Sequence, residues 1–125
     1  MSDVPTVSIR FELVALDTPD PAGLASFYSR LLGWQVERTE PDWIRIRAGD
    51  SGPVLAFQLA PDHQPPSWPD PAVPQQIHLD FAVDDLAAAS AYAVSLGARR
   101  VSGPEVTEDF VVLLDPSGHP FCLCH

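Results

Sequence analysis

Residues 75–85 read Gln-Gln-Ile-His-Leu-Asp-Phe-Ala-Val-Asp-Asp, and this stretch decides the fold. Apolar residues alternate in it with polar or small ones, which is typical of a β-strand with one apolar face. The apolar set is Ile77, Leu79, Phe81 and Val83. His78 and Asp80 lie two residues apart, so we expect both side chains on the opposite face. Asp84 and Asp85 then start a predicted helix, and a weaker copy of the whole unit lies about half a chain earlier.

The earlier copy is clearest in its helix. Asp20 is suited to cap the helix and Pro21 to occupy its first position. Apolar residues follow at helical spacing up to Gly33, which readily takes the left-handed conformation of a helix end. They are Leu24, Phe27, Tyr28, Leu31 and Leu32. Alternating patterns predict one strand before this helix, at 9–16, and three after it, at 34–39, 43–47 and 54–60.

The second half repeats this order. Its later strands are predicted at 99–101, 110–114 and 120–124. Superposing the halves pairs Asp20 with Asp85, Gly33 with Gly97 and Leu13 with His78, at offsets of 64 or 65 residues. The sequence therefore predicts an α+β fold of two tandem βαβββ modules in a single domain, 1–125. Module one spans about 7–60 and module two 75–125, and the segment 61–74 between them is a proline-rich linker.

Composition restricts the class of protein. At 125 residues and 46% hydrophobic content, the chain is predicted to form one domain with a packed core. A formal charge of −10 disfavours both nucleic acid and anionic membranes as partners. The N-terminus lacks the pattern of a secretory signal, and no apolar run approaches the length of a membrane span. Cys122 and Cys124 are interpreted as free thiols, so we expect a cytoplasmic protein.

Several short motifs recur in the same order in both halves, and together they resemble the vicinal oxygen chelate superfamily. They are Asp20, Phe27-Tyr28 and Leu32-Gly33 in module one, and His78, Val83-Asp84-Asp85, Leu96-Gly97 and Asp115-Pro116-Ser117-Gly118 in module two. This superfamily includes glyoxalase I, bleomycin-resistance proteins and extradiol dioxygenases, and the chain most resembles its glyoxalase-like branch. The resemblance implies a cleft between curled mixed sheets with the helices outside, and a homodimer.

The resemblance also implies four metal-ligand positions, from the first and last strands of each module: Leu13, Gln58, His78 and Cys122. The enzymes hold a hard divalent ion there on His and Glu side chains. Here Leu13 cannot bind a metal, Gln58 is a weak neutral donor, and both carboxylates are missing. We therefore expect no metal cofactor; if a divalent ion does bind, its predicted ligands are His78, Cys122 and Gln58.

The alternation of side chains along each strand supports these positions independently of the resemblance. If Phe57 faces the helices, Gln58 faces the cleft, although a slip of one residue would exchange the two. If Phe121 faces the helices, Cys122 faces the cleft in the same way.

Other candidates accompany these positions. A cleft-facing Asp80 needs a partner, which Arg45 or Arg47 could supply; either arginine could equally bind an anionic ligand or form an exposed salt bridge. Trp43 could stack on a flat ligand, or pack in the core or at a dimer contact. His78 either contacts a ligand or is a cleft histidine bonded to a neighbouring polar group. A His78–Asp80 general-base pair is disfavoured, because strand side chains two residues apart run parallel rather than meeting.

Three functions fit these patterns. We favour a small-molecule binding protein of the bleomycin-resistance type, with a degenerate metal site and a hydrophobic or cationic ligand. Its predicted ligand-binding residues are His78, Asp80, Gln58, Trp43, Arg45, Leu13 and Cys122. The alternative is a metal-dependent lyase, isomerase or dioxygenase with an atypical site around His78 and Cys122. The third is an interaction or structural module with an incidental cleft. Whether the protein is an enzyme stays open.

Overall fold

The computed structural model describes residues 7–68, 70–101 and 109–125. In chain order the described elements are β1 (Val14–Thr18), α1 (Pro21–Leu32), β2 (Gln35–Glu40), β3 (Trp43–Arg47), β4 (Val54–Leu59), β5 (Leu79–Ala82), α2 (Leu86–Ser95), β6 (Arg99–Arg100), β7 (Phe110–Leu114) and β8 (Pro120–Cys124). Neither helix in these ranges is long and apolar enough to cross a membrane.

The strands form two sheets with the same internal order. The first sheet runs β1-β4-β3-β2 and the second runs β5-β8-β7-β6. In each sheet the first and last strands of the module pair in parallel, and the other pairs are antiparallel. This doubling confirms the predicted α+β fold of two βαβββ modules.

Local sequence chemistry fixes both ends of α1. The Asp20 side chain accepts a hydrogen bond from the amide of Gly23 at 3.0 Å, and Pro21 fills the first turn. Gly33 ends the helix with φ at 69°, where a residue without Cβ avoids strain. Helix α2 uses the same device, because the side chain of Asp85 accepts from the amide of Ala88. These helices confirm the starts predicted from the sequence.

Two strands begin later than predicted. The strand predicted at 9–16 starts only at Val14, because its pairing partner β4 faces Val14 to Thr18 and no earlier residue. Residues 7–13 lie outside any described strand, and Val7, Ile9 and Phe11 are largely exposed. Strand β5 likewise starts at Leu79, so His78 precedes it.

One aromatic cluster joins the modules. Tyr28 on α1 stacks on Phe57 of β4 with ring centroids 5.7 Å apart. The centroid of the Tyr28 ring also lies 6.2 Å from the ring centroids of both Phe81 and Phe121 in the second sheet. All four rings are buried or half-buried. The two modules therefore share a hydrophobic core on the helix side of the sheets.

Candidate functional site

Three potential ligand atoms converge at the edge of the second sheet. Asp80 and Cys122 are opposite one another in the parallel pairing of β5 and β8, and His78 immediately precedes β5. A ring nitrogen of His78, a carboxylate oxygen of Asp80 and Sγ of Cys122 all lie within 4.8 Å of one another. We call these residues the His–Asp–Cys cluster.

Strand alternation places the cluster away from the core. Phe121 and Leu123 are buried against the helices, so Cys122 between them points to the other face, as the sequence predicts. The expectation that His78 and Asp80 do not meet is wrong. His78 Nε2 lies 3.1 Å from Asp80 Oδ1, because His78 stands outside the strand and is not held to its side-chain direction.

The cluster is electrostatically unsuited to nucleophilic catalysis. Burial, and then the charge and hydrogen bond of Asp80, raise the pKa of the Cys122 thiol to about 11. A thiol with so high a pKa is protonated at neutral pH, and the thiolate is the reactive form. The side chains of His78 and Asp80 are 41% and 60% exposed, so solvent and ions reach the cluster.

The predicted residues of module one do not join this cluster in the described contacts. Leu13 is half-buried just before β1, and Gln58 is exposed at the end of β4, paired with Trp43 of β3. Arg45 Nε lies 3.2 Å from Glu37 Oε1, and Arg47 also pairs with Glu37. Asp80 therefore contacts His78 rather than either arginine.

A cavity of about 670 Å³ lies next to the cluster, between the end of β1, the linker and the turn before β8. We call it the linker pocket. Its wall includes Ile77, the residue before His78, and linker residues that are mostly apolar. Polar groups on the wall come from Asp17, Asp62, His63, Gln64, Gln76 and His119.

Two histidines hold one side of the linker pocket together. The rings of His63 and His119 lie with centroids 4.7 Å apart. His119 Nε2 donates to the carbonyl of Asp17 at 2.6 Å, and His63 Nε2 donates to the carbonyl of Ser117 at 3.2 Å. The linker is thus tied to the turn before β8, and that turn to β1.

Comparison with known proteins identifies the family. The family model for the glyoxalase-like domain matches residues 13–124. The chain belongs to the glyoxalase-like domain family. This confirms the resemblance to the vicinal oxygen chelate superfamily. No curated protein matches the chain in a separate sequence comparison.

Solved structures agree with this assignment. A glyoxalase/bleomycin resistance protein/dioxygenase family enzyme from Burkholderia phytofirmans is 21% identical, with 90% of this chain and 94% of that chain covered and a TM-score of 0.68. A bleomycin-binding protein in complex with bleomycin is 24% identical, with 94% and 98% covered and a TM-score of 0.61. A bleomycin resistance determinant encoded on transposon Tn5 is 23% identical, with the same coverage and a TM-score of 0.62. At these identities the likeness establishes the shared fold.

The glyoxalase-like chain does not fit the four-ligand metal site that its superfamily implies. Leu13 offers no donor atom, and Gln58 offers a neutral amide from the other sheet. Cys122 offers sulfur, which hard divalent ions disfavour. No catalytic step can therefore be derived through a hard ion at these four positions.

Sequence reasoning missed the polar groups of the linker pocket. Asp17, Asp62, His63 and His119 come from three separate segments and follow no common period. The only sequence signal was indirect, since six prolines stiffen the segment that forms the wall. Of the predicted ligand-binding residues, none lines this pocket, although His78 adjoins it through Ile77.

Proposed function

We propose that this glyoxalase-like protein binds a hydrophobic, cationic small molecule and does so without the catalytic metal of its superfamily. The observation that carries the proposal is the linker pocket, whose volume of about 670 Å³ falls within the usual range for small-molecule sites. The fold it shares with a bleomycin-binding protein supports the same class of function.

The walls of the linker pocket favour a ligand with an apolar body. Ile77, Val73 and several prolines supply carbon surface, and prolines lose little conformational entropy when a ligand orders them. Ile77 is 46% exposed, so a bound ligand would remove apolar surface from water.

Charge favours a cation over an anion. Asp17 and Asp62 are exposed carboxylates on the pocket wall, and the whole chain carries a formal charge of −10. Such a field raises the local concentration of cations and repels anions. A cationic group beside Asp17 or Asp62 would also form a charge-assisted hydrogen bond where it can donate one.

A pair of dyes tests the proposal. We expect a fluorescent dye with an apolar ring system and an ammonium group to bind, and a sulfonated dye on the same ring system to bind far more weakly. Ile77→Arg should abolish binding, because it adds both bulk and positive charge to the wall. Val36→Arg is the matched control, since Val36 is 51% exposed on β2 and does not line the pocket. Equal binding by both variants would refute the proposal.

We further propose a cytoplasmic homodimer. The apolar side chains of Val7, Ile9 and Phe11 are exposed ahead of β1, and a second copy of the chain is the partner we assign to them. Strands β1 and β5 stand at the edges of their sheets in the described chain, which leaves backbone groups able to pair with that copy. Two free thiols suit a reducing compartment.

The His–Asp–Cys cluster favours the second predicted function, a metal-dependent lyase, isomerase or dioxygenase. That function requires turnover of a substrate with adjacent oxygens, and turnover lost in His78→Ala would support it. Ligand binding without turnover would support the binding protein.

A further inference from the structure

The cluster on the second sheet carries an inference that is independent of the linker pocket. We propose that His78, Asp80 and Cys122 form a zinc site contained within module two. The site differs from the four-position arrangement of the superfamily, because Asp80 replaces both positions of module one. It therefore uses neither Leu13 nor Gln58.

The separations between the donor atoms suit one small ion. Zinc binds nitrogen at about 2.0–2.1 Å and sulfur at about 2.3 Å, so donors in a tetrahedral site stand roughly 3.3–3.6 Å apart. His78 Nε2 and Asp80 Oδ1 are already 3.1 Å apart, and all three donor atoms lie within 4.8 Å of one another. To reach tetrahedral separations from Cys122 Sγ, the side chains of His78 and Asp80 must change rotamer. Both side chains are exposed and can do so freely.

The sheet supplies a rigid base for the site. Strand β8 lies between β5 and β7, so Cys122 is on a strand that is paired on both sides. The parallel register of β5 and β8 holds Asp80 opposite Cys122. The side chains of His78 and Asp80 are exposed, so an ion can reach the site from solvent.

The chemistry of the donors selects the metal class. One nitrogen, one oxygen and one sulfur ligand match zinc, which accepts all three, whereas magnesium and calcium prefer oxygen alone. Three protein ligands leave a fourth position for water or for an oxygen of a ligand.

Charge balance supports binding of a divalent cation. When zinc binds, the thiol proton of Cys122 passes to the buffer. The two positive charges of the ion then face one carboxylate and one thiolate, so the site becomes neutral.

Cobalt provides a direct readout, because Co²⁺ takes the place of zinc and absorbs light. We expect Co²⁺ added to the full chain to give tetrahedral visible bands and a sulfur-to-cobalt charge-transfer band in the near ultraviolet. Stoichiometric Zn²⁺ should remove both. Cys122→Ser should eliminate the charge-transfer band, and Asp80→Asn should weaken Co²⁺ binding by at least about tenfold, since even loss of an outer partner has that effect.

Two matched controls separate this site from its neighbours. Cys124→Ser should keep the charge-transfer band, because Cys124 lies two residues further along β8 and outside the cluster. Gln58→Ala should leave Co²⁺ affinity unchanged, whereas a site of the four-position type would lose it. If Cys122→Ser fails to fold, as judged by circular dichroism, His78→Gln serves in its place, because the exposed His78 side chain tolerates substitution.

Three results would overturn the inference: no Co²⁺ binding, a charge-transfer band that survives in Cys122→Ser, or loss of the site in Gln58→Ala. The dye experiment tests the linker pocket, and its result does not depend on the zinc site. Dye binding without Co²⁺ binding overturns the zinc site alone, and Co²⁺ binding without dye binding overturns the proposed function alone.

Discussion

The hydroxyl of Tyr28 donates a 2.7 Å hydrogen bond to Oδ2 of Asp115, and both residues are completely buried. Tyr28 belongs to α1 of module one, and Asp115 opens the turn before β8 of module two. Oδ1 of the same carboxylate accepts from the amides of Ser117 and His119 at 2.9 and 3.0 Å. This one side chain therefore fixes the turn that precedes Cys122 and attaches it to the other module.

Tyr28→Phe should destabilise the protein by about 1–3 kcal/mol, because it leaves a buried carboxylate oxygen without its donor. Urea unfolding measures the change. Tyr92→Phe is the matched control: the Tyr92 hydroxyl also joins the modules, through the carbonyl of Arg30 at 2.9 Å, but at an exposed position. We expect a loss below about 1 kcal/mol there, since water replaces the lost bond. Equal losses in the two variants would contradict the role assigned to burial.

The contact between Tyr28 and Asp115 predicts that the protein becomes less stable at high pH. Burial, and then the negative charge and hydrogen bond of Asp115, raise the pKa of Tyr28 well above its usual value of 10.0. Above pH 10 the unfolded chain has released this proton while the folded chain retains it, so the unfolded state binds fewer protons. The stabilising contribution is thus complete below pH 10 and falls as the pH rises beyond it. Urea midpoints measured from pH 8 to pH 11 should decline more steeply in the wild type than in Tyr28→Phe; parallel declines would exclude Tyr28 as the cause.

The exposed segment before β1 predicts a concentration-dependent assembly. Replacing both Ile9 and Phe11 by Asp should convert the proposed dimer to a monomer, because charged side chains oppose burial at the contact. Analytical ultracentrifugation gives the mass directly, and the melting temperature of the variant should no longer depend on protein concentration. Val94→Asp, at a position 45% exposed on α2, controls for added charge. A wild-type protein that sediments as a monomer at every concentration would end the dimer proposal.

Features that depend on residues close together in the chain, such as helix caps, could be predicted from the sequence. The caps at Asp20 and Asp85 sufficed to predict where both helices start, and Gly33 sufficed to predict where the first one ends. Alternating apolar residues predicted the order of the strands. The start of β1 could not be predicted in this way, because strand pairing depends on where β4 lies after folding. The alternation of apolar residues from Ile9 onward is typical of a strand, but it does not identify the strand that pairs with it, in the same chain or in another.

The candidate site likewise has features that local sequence patterns predict and features that depend on the folded arrangement. Alternation along β8 predicted that Cys122 turns away from the core, and the repeat drew attention to His78. The contact between His78 and Asp80 was missed because it depends on where β5 begins. The linker pocket escaped prediction for a similar reason: Asp17 and His119 meet only when the two modules are in place.

His119→Ala should loosen the linker without unfolding the domain. The variant loses the 2.6 Å hydrogen bond to the carbonyl of Asp17 and the ring contact with His63, but that carbonyl is accessible enough for water to replace the donor. We expect a stability loss below about 1 kcal/mol by urea unfolding. Limited proteolysis should cut the segment 61–74 faster, and the cationic dye should bind more weakly because the pocket wall is less ordered. His125→Ala, an exposed histidine at the end of the chain, is the control. Unchanged cleavage and unchanged dye binding in His119→Ala would show that the linker holds its position without the two histidines.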